Sequence, residues 1–354
     1  MIPSDYGHNQ GAIVGWKRSV DRILFKIFQL PKWLLGVALV FAISVGCSNA
    51  STADLPKSIR LDYAYYNPVS LVLKEKGWAE SEFAKDKIQV EWVLSQGSNK
   101  ALEFLNARSL DFGSTAGAAA LIGKANGNPI KSIYTYSKPE WAALVTSEKS
   151  SIQSVADLKG KKIAATRGTD PFIFLLRSLD QFGLSDKDVT IVPLQHADGR
   201  AALEKGDVDA WAGLDPHMAK AELEKGARLF FREPDFNSYG VLNVREEFAQ
   251  KYPQLVDRVL QVYEKGRQWA QQNPDELKQI LVKESKLSDA VAAKQLERTD
   301  LSNPEIGEAQ KTVIAAAGSV LKKSGVIPES VDVDAVIEST IDSQYINRIA
   351  KKAP

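Results

Sequence analysis

The stretch KKIAATRGTDPFIFLLR, residues 161–177, gives three signals in the order strand, turn, helix. Ile163-Ala164-Ala165 reads as a short buried strand and Arg167-Gly168-Thr169 as a tight loop. Asp170-Pro171 then opens a helix, with Asp170 expected as N-cap and Pro171 as the first helical residue. A strand that ends on small polar residues and runs straight into a helix aims several free backbone N–H groups at one point. Such a point suits an anionic group. How often this grammar returns decides the architecture.

On the N-terminal side it returns three times. Ile59–Ala64 alternates as a strand, and Tyr65-Tyr66-Asn67-Pro68 leads into a helix capped by Asn67. Ile88–Val93 is a second strand, after which Ser95-Gln-Gly-Ser98 opens a helix to Ala107. Asp111-Phe-Gly113 is expected as a short strand, with Ser114-Thr115-Ala116-Gly117 starting the next helix. Ile130–Tyr136 is another strand, and Trp141–Thr146 is an apolar crossing that leaves this unit.

On the C-terminal side the rhythm repeats. Val189–Val192 is a strand followed by a helix near Gly199–Lys205. Val208–Gly213 is a strand, and Asp215-Pro216 starts a helix to Lys225. Arg228–Phe231 is a last strand before a second apolar crossing, Tyr239–Val244. From Arg245 onward the pattern is helical, and this tail is expected to pack back on the first unit.

Strands alternating with helices argue an α/β fold with two mostly parallel sheets flanked by helices. The two crossings make it two-lobed, with a cleft between the lobes. The expected boundaries are 58–143 and 243–354 for a discontinuous lobe 1, and 144–242 for lobe 2.

Ligands of open parallel sheets sit at the carboxyl ends of strands. Those ends supply Tyr65, Tyr66 and Asn67; Gly97 and Ser98; Ser114 and Thr115; Gly168, Thr169 and Asp170; and Leu214 with Asp215. Hydroxyls and backbone amides suit an oxyanion, and Tyr65, Tyr66, Trp141 and Trp211 suit an organic tail. A plainer reading competes. Asn273-Pro274 and Asn303-Pro304 show the same grammar in the helical tail, so an Asx-Pro pair is first of all a helix start. Trp211 reads equally well as core, and Trp92 reads as core rather than site.

Catalytic and metal readings fare poorly. There is no Gly-x-Ser-x-Gly and no His-Glu-x-x-His, and the P-loop spacing fails at Gly117–Ala125. His8 lies in the leader, and His196 and His217 suit surface or cap roles. With one cysteine, Cys47, neither a disulfide framework nor a cysteine zinc site can form. No cofactor and no metal are expected.

The charge is uneven. Residues 1–47 hold five of the 45 Lys/Arg against Asp5 and Asp21, while the remainder holds 40 basic against 42 acidic residues. That near-neutral body has no footprint for nucleic acid. The basic start precedes an uncharged run, Trp33–Gly46, short for a membrane span and suited to a signal-peptide core. Ser44-Val45-Gly46-Cys47 resembles a bacterial lipobox, with Ser44 where leucine is usual, so residues 1–47 read as a leader with Cys47 lipidated. Cleavage after Ser48-Asn49-Ala50 and an uncleaved anchor are the alternatives. In each case the body is exported to the periplasm or cell envelope, with residues 48–57 as a tether.

Three segments carry a family resemblance. Val155–Thr169 resembles the "DLKGKKIA…G-[ST]" segment of ABC-importer solute-binding proteins. Ala201–Pro216, with Asp209-Ala210-Trp211 and Asp215-Pro216, is similar to the segment of the aliphatic-sulfonate, taurine and nitrate branch. Val244–Pro253 looks like the Arg-x-Glu-Phe stretch that follows the return crossing there. The resemblance implies a type II periplasmic-binding fold whose lobes close on a solute, delivered to a permease and its ATPase. It implies a monomer without catalysis, and contacts to the ligand's acidic group from Ser98, Ser114-Thr115 and Gly168-Thr169. Asp170 departs from the pattern, because a second hydroxyl often stands there. A carboxylate at that point weakens the case for a plain anion and would be tolerated by a zwitterion such as taurine. The expected ligand is a small organic anion or zwitterion, an alkanesulfonate or taurine ahead of nitrate. The alternatives are an enzyme of the same fold, of the pyrimidine-precursor-synthesis type, and a membrane-tethered sensor.

Overall fold

The computed structural model describes residues 55–350. The expected leader, the lipidation of Cys47 and most of the tether lie outside the described residues.

The chain first lays down β1 (Ser58–Tyr63), β2 (Gln89–Leu94), β3 (Phe112–Ala116) and β4 (Ile130–Pro139). It then builds β5 (Ala142–Thr146), β6 (Lys162–Ala164), β7 (Thr190–Val192), β8 (Ala210–Leu214) and β9 (Arg228–Phe231). It returns for β10 (Gly240–Arg245) and the short β11 (Thr299–Asp300). The first sheet has the order β11-β4-β10-β3-β1-β2, and the second β7-β6-β8-β5-β9.

Both sheets are mixed. β1 runs parallel to β2 and β3, and β6 parallel to β7 and β8. Each such pair is joined through a helix, the connection that parallel strands require. β10 lies antiparallel between β3 and β4, and β5 antiparallel between β8 and β9. Both enter from the opposite sheet, so they run against their neighbours. The segments read as crossings are thus strands of the sheets, and the passages between sheets are residues 140–141 and 232–239.

Helices α1 (Pro68–Lys76) and α2 (Trp78–Phe83) follow β1, α3 (Ser98–Asn106) follows β2, and α4 (Gly117–Ala125) follows β3. In the second half α5 (Asp170–Gln181), α6 (His196–Lys205) and α7 (His217–Lys225) follow β6, β7 and β8. Asn67 caps α1 as expected, its Oδ1 accepting from the Ser70 N–H at 3.3 Å. Gly77 then ends α1 at φ +62°, a left-handed position that costs glycine little.

The tail forms α8 (Glu246–Lys251), α9 (Pro253–Gln272), α10 (Pro274–Ser285), α11 (Asp289–Glu297), α12 (Glu308–Ala315), α13 (Gly318–Lys323), α14 (Val333–Thr340) and α15 (Gln344–Ala350). Most of it packs on the first sheet's layer, α9 and α10 against α1 and α14 against α4. Two helices do not follow that expectation. α11 packs on α7 and α13 on α5, where Lys323 pairs with Asp180 at 2.8 Å. The tail therefore touches both halves.

Candidate functional site

The carboxyl ends of the strands face a cavity of about 320 Å³ between the two sheets. Tyr65 and Tyr66 enter it ahead of α1, and Leu94, Ser95 and Gln96 ahead of α3. From the second sheet come Gln195–Asp198 at the start of α6 and Leu214–His217 at the start of α7. A narrow recess beside it is walled by Tyr66, Ser98, Trp141, Thr169, Asp170, Pro171 and Leu214. Four helix starts, two from each half, thus border the main cavity, and α5 borders the recess.

The expected site residues divide by what their polar atoms already do. Tyr65 and Tyr66 form the wall, with the Tyr66 hydroxyl donating to the Ser114 carbonyl at 3.0 Å. Burial pushes the Tyr66 phenol well above its usual range, so it stays a donor. Trp141 meets Tyr66 edge-on, ring centres 5.9 Å apart. Gly97 and Ser98 begin α3, and Ser98 Oγ accepts from the Ala116 N–H at 3.0 Å. Gly168 makes its turn at φ +76°, and Thr169 caps α5 while its hydroxyl donates to the Thr166 carbonyl at 2.6 Å. Asn67 Nδ2 donates to Ser114 Oγ at 2.7 Å.

Ser114 and Thr115 require a correction. They stand within β3, which continues to Ala116, and they do not open α4. Ser114 gives its N–H and its hydroxyl to Asp62 at 2.9 and 2.8 Å, and Thr115 Oγ1 accepts from Asn243 Nδ2 at 2.8 Å. Both are fully buried and saturated, so they support the floor and do not face the cavity. Burial raises the Asp62 carboxyl to about 6 despite these donors.

Asp170 also differs from expectation. Thr169 is the N-cap, and Asp170 is the first residue of α5. Its carboxylate turns away from the helix amides and accepts from Ser238 N–H at 2.8 Å, Ser238 Oγ at 2.7 Å and Trp141 Nε1 at 2.8 Å. Ser238 Oγ in turn accepts from the Ala118 N–H at 3.1 Å. Burial lifts the Asp170 carboxyl to about 6. This cluster joins α5, both passages between the sheets and α4. Asp170 therefore spends no helix amide of α5, and it remains part of the wall of the narrow recess.

Asp215 is a cap and an ion-pair partner together. It accepts from the Ala219 N–H at 2.8 Å and faces Arg298, from the end of α11, at 3.3 Å. Arg298 also reaches Glu222. Burial raises Asp215 to about 6, with Arg298 opposing.

The residue that sequence reasoning missed is His196. It is 1% exposed and lines the cavity. Its Nδ1 lies 3.2 Å from Thr166 Oγ1, while its Nε2 has no hydrogen-bond partner among the described residues. Burial pushes its pKa down to about 3, and that of its neighbour His217 to about 4. The available signal was the end of the strand at Val192. The helix there begins at His196, three residues before Gly199, and Gly199 sits inside it because a Cβ would come within 2.9 Å of Trp211. Trp211 itself is wholly buried in the core.

Residues 69–277 match the family model described as "NMT1/THI5 like". The chain is 31% identical over 317 residues to an aliphatic sulfonates-binding protein of Bacillus subtilis (strain 168), covering 88% of this chain and 96% of that one. It is 28% identical over 320 residues to an aliphatic sulfonates-binding protein of Escherichia coli (strain K12), covering 90% and 93%. Among solved structures, it is similar to the alkanesulfonate-binding protein SsuA from Xanthomonas axonopodis pv. citri bound to MOPS. That match has a TM-score of 0.74 at 25% identity and covers 81% of this chain and 99% of the other.

Proposed function

Because this chain belongs to the NMT1/THI5-like family, we propose that it is the substrate-binding protein of an ABC importer, taking a small organic sulfonate into its cavity. The sulfonates in the relatives' names support that class. The observation in this chain that carries the reading is the meeting of four helix starts, from both sheets, on one cavity. Helix starts offer amide donors and positive dipole ends to an oxyanion without a buried cation. Tyr65, Tyr66 and Trp141 offer apolar walls to the organic part.

On this reading Tyr65, Tyr66, Gly97, Ser98, Trp141, Gly168 and Thr169 contact the ligand or its anionic head. Asn67, Ser114, Thr115 and Asp170 hold the frame, and Asp215 serves both. The two sheets with their helices act as the two lobes, dividing at the passages 140–141 and 232–239, two to three residues from the expected bounds. Closure on ligand is the signal to the permease and its ATPase. The protein acts as an exported monomer, anchored by lipid on Cys47 and without catalysis of its own.

Titration calorimetry of the purified protein against alkanesulfonates, 2-aminoethanesulfonate, nitrate and bicarbonate tests the proposal. Heat of binding is expected for at least one organic sulfonate. Silence across all of them would exclude the ligand class and leave the fold untouched.

A further inference from the structure

The Thr166 hydroxyl has one proton, and it is spent on the Leu194 carbonyl at 2.7 Å. Towards His196 Nδ1, at 3.2 Å, Thr166 Oγ1 can therefore only accept. Nδ1 must carry the hydrogen. Burial pushes the His196 pKa down to about 3, so the ring is neutral at physiological pH and Nε2 is left with a bare lone pair. That atom has no donor among the described residues, a state native interiors avoid unless it serves a purpose.

Nε2 does not stand alone. One point in front of Gly97, where a Cβ would lie, is 3.0 Å from His196 Nε2 and 2.8 Å from Asn99 Oδ1. Asn99 Oδ1 is also buried without a partner, and so is Gln195 Oε1 on the cavity wall. The point lies one bond from Gly97 Cα, so two buried acceptors, one from each half of the molecule, close on the glycine backbone itself. The cavity that His196 and Gln195 line also carries Asp198 and Asp215, the latter answered by Arg298, together with His217, which burial also keeps neutral. Among the described residues that line it there is no Lys or Arg.

We propose that His196 sets the specificity of this cavity, its Nε2 lone pair reading a hydrogen-bond donor on the ligand, of which an ammonium group is the best match. The inference rests on the sulfonate reading above for the ligand's other end. A wall of acceptors and carboxylates favours a ligand that brings its own donor and positive charge. A site built to hydrogen-bond such a group discriminates strongly against the analogue that lacks it. Thr166 acts through His196 as a positioning residue, because it fixes which nitrogen is protonated.

The probes are 2-aminoethanesulfonate and 1-propanesulfonate, equal in length and differing by an ammonium in place of a methyl. Calorimetry on the full-length protein is expected to show the amino compound binding tighter by about tenfold or more. His196→Leu should bring the ratio near one. Thr166→Val should shrink it while leaving the ring in place, because the imidazole can then move its proton to Nε2. Nitrogen NMR of the wild-type imidazole should show Nδ1 protonated and Nε2 bare, a reading that needs no variant to fold. Equal wild-type affinities would overturn this inference alone and would fit an Asn99 amide turned to donate to Nε2. A preference that survives His196→Leu would overturn it in favour of the carboxylates. Failure of the wild type to bind any sulfonate would overturn both this inference and the ligand class beneath it.

Discussion

Asp170 and Ser238, 68 residues apart in sequence, share two hydrogen bonds, one to the serine amide at 2.8 Å and one to its hydroxyl at 2.7 Å. With Trp141 as a third donor, the carboxylate ties the start of α5 to both passages between the sheets. Removing it strands three buried donors. Asp170→Ala is expected to lower stability by about 3 kcal/mol, since bonds to a charged group are worth roughly 1.5–3 kcal/mol and an orphaned donor costs more than the bond. Urea unfolding at pH 7.5 measures this, and an unchanged midpoint would refute the latch.

Arg298 joins the tail to the second sheet through Asp215 and Glu222, with its side chain 4% exposed and that of Asp215 3%. Arg298→Ala leaves a carboxylate buried without its cation. A loss of about 3–5 kcal/mol is expected, the usual cost of breaking one side of a buried pair. Thermal unfolding followed by circular dichroism decides it, and a change under about 1 kcal/mol would class the pair with surface bridges.

His196 gives a pH dependence of known sign. Its pKa falls from 6.5 to about 3 in the folded protein because burial disfavours the imidazolium. The unfolded chain then takes up a proton near pH 6.5 that the folded chain refuses until near pH 3. Stability is therefore lost as pH falls through this window, by up to about 1.4 kcal/mol per pH unit. Buried Asp62, Asp170 and Asp215, raised to about 6, work in the opposite direction between pH 4 and 6. Comparing wild type with His196→Leu at each pH cancels them. The gap should shift against the wild type on acidification, and a gap independent of pH would mean that the imidazole is hydrated.

Gly97 is extended, at φ 169°, so any residue suits its backbone. What excludes a side chain there is that a Cβ would come within 2.8 Å of Asn99 Oδ1 and 3.0 Å of His196 Nε2 from the other half. Gly97→Ala should push the two halves apart. Ligand affinity should drop about tenfold, equivalent to about 1.4 kcal/mol, with little change in unfolding midpoint. Small-angle scattering with saturating ligand should report a wider particle, and wild-type closure would contradict the assignment.

The sequence made the strand order of events legible because hydrophobic period and turn residues are local signals. Arg228–Phe231 stands where it was expected, while Ala142–Thr146, expected as a crossing, is a strand inside the second sheet because its apolar run pairs with β8 and β9. What it hid were partners far along the chain. Phe112–Ala116 reads as Phe-Gly-Ser-Thr-Ala, which looks like a strand breaking into a turn. It remains a strand because Asp62 and Asn243, from its neighbours β1 and β10, absorb its hydroxyls. Asp170 looked like a cap for the same reason, since nothing local announces Ser238. The helix expected near Gly199–Lys205 starts three residues earlier, at His196, and His196 was lost with that first turn.

The strand order has a consequence for how the molecule is made. All five strands of the second sheet come from one unbroken segment, residues 142–231. The first sheet has β10 inserted between β3 and β4, so its N-terminal strands lack their central neighbour until residue 245 has arrived. A chain emerging from its N-terminus must hold β1–β4 incomplete while a later segment can already close its own contacts. Pulse-labelled hydrogen exchange during refolding should find amides of β5–β8 protected before those of β3 and β4, and the reverse order would rule this out. A molecule split in this way completes its first sheet beside a second already finished, and the cavity between them forms last.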